Sequence, residues 1–189
     1  MIFENKGKEN TLETLRVALT AAKERGTTLV VASNAGDTLI ELIKMQEELG
    51  TNVPMVMVGQ AYGYPKQGVN TMTDERRAEL TAAGVHIIHA AHALSGAERG
   101  ISRKFSGAYP VEIMAHTLRM FGQGTKVCVE IAMMALDNGA IAYGRQVIAV
   151  GGTGRGADTV CRLTPDYTAD LLGTRIHEIL CKPSLEDDA

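Results

Sequence analysis

The feature that most constrains this chain is an alternation. Short apolar, β-branched runs are followed by segments whose apolar residues recur at helical spacing. The first run is Leu29-Val30-Val31-Ala32-Ser33. A run with no polar alternation suits a strand covered on both faces, as in a parallel sheet. Before it, Leu12, Leu15, Leu19 and Ala22 fall on one face of a helix over Thr11 to Arg25. Asn10 and Glu13 are spaced for a capping box, and Gly26 supplies a C-terminal stop. Beyond it the pattern predicts a helix over Asp37–Leu49, a strand over Val53–Val58, a helix over Asp74–Ala83 and a strand over Val85–His89. Helices over Pro110–Phe121 and Thr125–Asn138 and a strand over Gln146–Val150 follow. Asp158–Leu163 and Arg175–Cys181 are shorter candidate strands. This order implies an α/β domain with a mostly parallel sheet and helices on both faces.

The length, 189 residues, suits a single domain with an N-terminal helix and a short acidic tail over Ser184–Ala189. Aromatic residues are 4% of the chain and tryptophan is absent, which argues against a base-stacking single-strand binder. A net charge of −3 argues against nucleic acid or an anionic membrane as partner. Cys128, Cys161 and Cys181 form an odd set without CxxC spacing, as expected of reduced core thiols. Met1 to Asn10 has no apolar stretch of the signal-peptide kind, and no apolar run reaches the roughly 18 residues of a membrane span. A soluble, cytoplasmic protein is expected.

Ligands of open parallel sheets sit outside the carboxyl ends of the strands, so the loops after the strands are the places to look. Ser33-Asn34-Ala35-Gly36-Asp37-Thr38 runs from a strand into a helix, where free amides and the helix dipole favour an anion. The same hydroxyls and carboxylate would serve equally as helix caps, and Asp37 would compete with a phosphate. Gly151-Gly152-Thr153-Gly154-Arg155-Gly156-Ala157-Asp158-Thr159 has four glycines in its first six residues, enough for close backbone approach to a ligand. Thr153 and Arg155 are candidate phosphate donors, although the spacing matches neither GxGxxG nor GxxxxGK[ST]. Two connections, Gly59–Thr73 and Ala90–Tyr109, are long enough to expect a functional or mobile segment. The second carries Arg99, Arg103 and Lys104, and the first carries Tyr62 and Tyr64 between glycines. His86, His89 and His92 recur every third residue and cannot converge on one strand face, so no metal site is expected. Cys128, Met133 and Met134 read as helix core, with Glu130 the exception; no GxSxG or HExxH motif is present.

Val30 to Thr38 resembles the strand, Ser-Gly-x-Thr loop and helix start of the pyruvate kinase C-terminal α/β domain. The wider pattern is similar to small stand-alone proteins of the pyruvate kinase α/β-domain-like group, through Leu94–Arg99, Gln123–Ile131 and above all Val150–Thr159. The resemblance implies a three-layer α/β/α fold with a mostly parallel five-stranded sheet, order 3-2-1-4-5, the last strand antiparallel. It also implies that the Ser33–Thr38 and Gly151–Thr159 loops face one crevice. In pyruvate kinases the matching loop can bind a sugar bisphosphate; Ser33, Gly36 and Thr38 match it, whereas Asn34, Ala35 and Asp37 do not. Flavin mononucleotide (FMN) is the ligand the stand-alone group suggests. On this reading a small phosphorylated ligand meets Ser33, Asn34, Gly36, Asp37 and Thr38 on one side. Gly152, Thr153, Gly154, Arg155 and Thr159 stand opposite, and Arg99 closes over with Arg103. Kinase activity does not carry over, because it resides in a barrel domain of at least about 200 residues. Three functions follow as expectations: a small-ligand binder, a flavin-dependent or phosphoryl-substrate enzyme, and a homo-oligomeric interaction module.

Overall fold

In a computed structural model, residues 1–64 and 66–186 are described. The strands are β1 (Ile2–Phe3), β2 (Leu29–Ala32), β3 (Met55–Gln60), β4 (His86–Ala90), β5 (Val147–Gly151), β6 (Thr159–Thr164) and β7 (Arg175–Pro183). The α-helices are α1 (Thr11–Arg25), α2 (Asp37–Glu48), α3 (Asp74–Ala82), α4 (Gly96–Phe105), α5 (Pro110–Arg119) and α6 (Gln123–Asp137). They build an α/β fold on one seven-stranded sheet, order β1-β7-β6-β5-β2-β3-β4. The sheet is mostly parallel; β6 runs antiparallel to both β5 and β7.

The unalternated runs become the central strands for the reason expected. Leu29, Val30 and Val31 are all fully buried. Successive side chains feed opposite cores. Val31, Met57 and Val150 pack with α1 and α2, through Leu15, Leu19, Leu39 and Leu42. Val30, Val56, Val58, Ala149 and Cys161 pack with α6, through Cys128, Val129, Ala132 and Met133. All three cysteines are buried and none forms a disulfide.

Several expectations need correction. The sheet has seven strands rather than five. Arg175–Pro183 adds to the open side of β6, and Ile2–Phe3 pairs with its end at Lys182 and Pro183. Two residues are too short for periodicity to reveal. The stretch Ala90–Tyr109 is not a plain loop, since it contains α4. None of the residues of α4 is buried; its apolar residues Ala97, Ile101 and Phe105 do recur at helical spacing, but the charges and glycines of the stretch read as a loop. The Asn10–Glu13 capping box does not form. A 3-10 turn over Lys8–Asn10 runs straight into α1 and leaves Asn10 in helical conformation, not the extended one a box requires. The Asn10 amide donates instead to the Asn5 carbonyl, and Glu13 pairs with Arg16. Of the acidic tail, the positions from 187 onward lie outside the described residues, as does Pro65 in the Gly59–Thr73 connection.

Two helical glycines sit in opposite environments. A Cβ on Gly124 would collide with Thr159 and come within 2.9 Å of the Asp158 carboxylate, both buried, whereas a Cβ on Gly100 meets nothing within 4 Å. Gly124→Ala is expected to destabilise by about 1–3 kcal/mol through overpacking. Gly100→Ala is expected to stabilise by about 0.5–1 kcal/mol through helix propensity. Urea unfolding of the two variants beside wild type reads both signs.

Candidate functional site

The parallel sheet splits its helices between β2 and β5. These strands are neighbours, yet α2 follows β2 into the core shared with α1, while α6 precedes β5 in the opposite core. The loops after β2 and β5 therefore leave the same edge of the sheet side by side, at the position where open α/β sheets bind ligands.

In the loop after β2, side chains hold the turn. Ser33 Oγ accepts from the Gly36 amide at 3.1 Å, and Asn34 Oδ1 accepts from the Gln60 amide at 3.1 Å. Gly36, at φ +91°, caps α2 with its backbone close beneath Leu80 and Arg76. The amides of Asp37 and Thr38 open the helix and have no intrahelical acceptor. Thr38 is buried. Asp37 is exposed, with Arg76 Nη1 3.5 Å from its carboxylate.

The glycine-rich loop folds around its own carboxylate. Asp158 is fully buried, and Oδ2 accepts from the Thr153 and Gly7 amides at 3.0 Å each. Thr159 donates its hydroxyl to Oδ1 at 2.7 Å. Gly152 and Gly156 are required by this turn. A Cβ on the first would strike the Gly156 carbonyl, and one on the second would lie 2.7 Å from Lys8 Cα. The N-terminal segment covers the turn, with the Ala157 amide donating to Thr11 Oγ1. What faces solvent is the tip, Gly154, Arg155 and Gly156. Thr159, expected to meet a ligand, is buried with its hydroxyl spent on Asp158.

Sequence reasoning missed the most perturbed group of charges. Glu130, on α6, and Lys126, one turn earlier, form an ion pair at 2.5 Å with side chains 2% and 5% exposed. Glu130 Oε1 also accepts from the Leu94 amide at 2.8 Å, and His92 Nδ1 lies 3.2 Å from Oε2. Burial raises the Glu130 carboxyl. The His92 hydrogen bond and Lys126 outweigh it and bring it from 4.5 to about 2. Burial pushes Lys126 below 10.5, Glu130 pulls it back up, and Arg119 and Arg99 push it down again. An ionised Glu130 only accepts, so this bond needs a proton on His92 Nδ1; the His92 side chain is half exposed. The available signal was Glu130 alone among the apolar residues of α6, with Lys126 four residues before it.

Arg99 is among the cations that lower the Lys126 pKa, and the glycine-rich loop packs against Gly124 of the same helix α6 as well as against Lys8 and Thr11 at the start of α1. His89 takes separate partners, Gln60 O at 3.1 Å and Asn70 at 3.2 Å. Its pKa is lowered chiefly by burial. Tyr62 and Tyr64 are exposed; the Tyr62 ring meets His89 edge-on and its hydroxyl accepts from Arg77. No group of three metal-ligating side chains occurs among the described residues, and no described helix is long and apolar enough to cross a membrane. A scan of the sequence against models of known protein families finds no match.

Breaking the Lys126–Glu130 pair on one side strands a buried charge. Glu130→Gln is expected to cost about 3–5 kcal/mol, and Lys126→Met/Glu130→Gln to recover much of it. The folded pKa of Glu130 lies below its unfolded value, so its stabilisation is complete above about pH 4.5 and is lost as pH falls toward about 2. Urea unfolding across that window is expected to show a steeper acid loss for wild type than for the double variant.

Proposed function

We propose that the protein binds a small phosphate-bearing molecule, with FMN the first candidate, at the carboxyl edge between β2 and β5. The observation that carries this reading is the divergence of α2 and α6 to opposite faces at that point. The first amides of α2 are open to an anion, and Arg155 is exposed at the tip of the neighbouring loop. The order β4-β3-β2-β5-β6 within the sheet, with β6 antiparallel, supports the likeness to the pyruvate kinase C-terminal α/β domain from which FMN is suggested. Side chains of Ser33, Asn34 and Thr159 serve the fold, so recognition on this reading rests on backbone amides and on Arg155.

A second reading, an enzyme acting on the bound molecule, draws on His92. A buried carboxylate fixes its ring and tautomer, the arrangement that prepares a histidine for proton transfer. Turnover of bound flavin that is lost in His92→Ala, with FMN affinity unchanged, would favour it.

Arg155→Ala is expected to weaken FMN by roughly 10- to 150-fold, the loss of one charge-assisted hydrogen bond. Arg155→Lys should recover part, because the charge stays while the fork is lost. Unfolding free energy should move by no more than about 0.5 kcal/mol. Equal affinities in calorimetric titration of the three proteins would remove Arg155 from the site, and no FMN binding to wild type would remove FMN.

A further inference from the structure

We infer that the opposite, amino edge of the sheet carries a second binding site, built for a small polyanion. A cavity of about 620 Å³ opens there, between the end of α1 and the loop that enters β5. Its size falls within the roughly 300–1,000 Å³ of small-molecule sites. Three arginines are among the residues that line it: Arg25, Arg145 and Arg162. Arg25 and Arg162 share one carboxylate, Glu178, at 4.0 and 3.3 Å. Glu24 approaches Arg25 at 3.6 Å from a largely exposed position. Arg162 also donates to the Gln146 side chain at 3.0 Å. Arg145 has no ion pair or side-chain hydrogen bond among the described residues. The cavity thus holds two partly satisfied arginines and one uncompensated one in a chain whose net charge is negative.

The negative end of a helix at this edge would repel an anion, but α1 is closed off. The Gly26 amide donates to the Lys23 carbonyl and the Thr27 amide to the Ala22 carbonyl. Arg25 covers the Ala21 carbonyl. The segments that form the cavity wall also contact one another and the rest of the protein. Thr27 donates its hydroxyl to the Gln146 carbonyl. Tyr143, in the wall-forming loop, stacks on Tyr167 with ring centroids 5.5 Å apart and planes 6° from parallel. Guanidinium forks recognise the oxygens of phosphate or carboxylate groups. This site lies across the sheet from the one proposed above and does not depend on it.

Calorimetry at constant ionic strength tests the inference with pyrophosphate as the phosphate arm and citrate as the carboxylate arm. Wild type is expected to bind at least one of them. Arg145→Ala should weaken that binding by roughly 10- to 150-fold, with Arg145→Lys between. Arg145 is exposed, so both variants are expected to fold. The comparison is repeated in the Arg155→Ala background, which removes the anion contact proposed on the other edge, and the same loss on Arg145→Ala is expected. The inference is overturned by absence of binding for both anions, by equal affinities in wild type and Arg145→Ala, or by a loss confined to Arg155→Ala. Binding of a long acidic peptide but of neither small anion would overturn it too.

Discussion

One buried carboxylate organises the end of the molecule where the strands deliver their loops. Among the described residues, the donors to Asp158 are two backbone amides and one hydroxyl, none of them cationic. A buried charge without such donors would be prohibitive. Each donor comes from a different place: Gly7 from the N-terminal segment, Thr153 from within the loop, and Thr159 from the start of β6. The carboxylate therefore does what a longer connection would otherwise do. It ties the N-terminus to the fourth parallel strand, sets the turn that reverses the chain into antiparallel β6, and puts Thr159 where Gly124 of α6 must pass without a side chain.

A second buried carboxylate has the opposite solution. Glu130 takes one amide, one ammonium and one imidazole. Here the charge is compensated rather than only solvated by dipoles, and its partners come from α6 and from the connection after β4. That connection holds α4 and α5, which bury little of their own surface. Polar contacts replace the missing apolar ones. Glu98 accepts from the first amides of α5, and Ser102 donates to Glu112. The pair Lys126–Glu130 thus lies at the base of the least core-anchored part of the chain, and His92 is the group through which it reaches solvent.

The parts of this architecture that were legible in the sequence are those governed by burial. Leu29–Ala32 and Val147–Gly151 were readable because a strand covered on both faces admits no polar residue. The helices α1, α2 and α6 were readable because each presents a stripe to a core. Where hydrogen bonds decide, the sequence was ambiguous. Ser33 and Asn34 have the composition of an anion loop and of a turn holding itself together, and both side chains are used for the second purpose. The glycine-rich stretch raised the same ambiguity. Its glycines suit close approach to a phosphate, but Gly152 and Gly156 are needed for approach of the chain to itself. The cluster of His92, Lys126 and Glu130 spans 38 residues, a distance that no local pattern encodes.

This self-closure narrows what the loop after β5 can contribute. Its amides at Thr153, Ala157 and Asp158 are already committed, to Asp158 Oδ2, Thr11 Oγ1 and the Gly151 carbonyl. A phosphate cradle of consecutive loop amides, the device of glycine-rich nucleotide loops, would have to break those bonds and expose the Asp158 carboxylate to the incoming anion. The only part of the loop that can meet a ligand without that penalty is its tip, where Gly154 and Gly156 flank Arg155. On the reading proposed above, an anion at this edge would meet the exposed tip of the loop after β5, where Arg155 is the one long side chain, and the first amides of α2, so that its affinity would depend on one guanidinium more than on Gly152 and Gly156, which serve the turn itself.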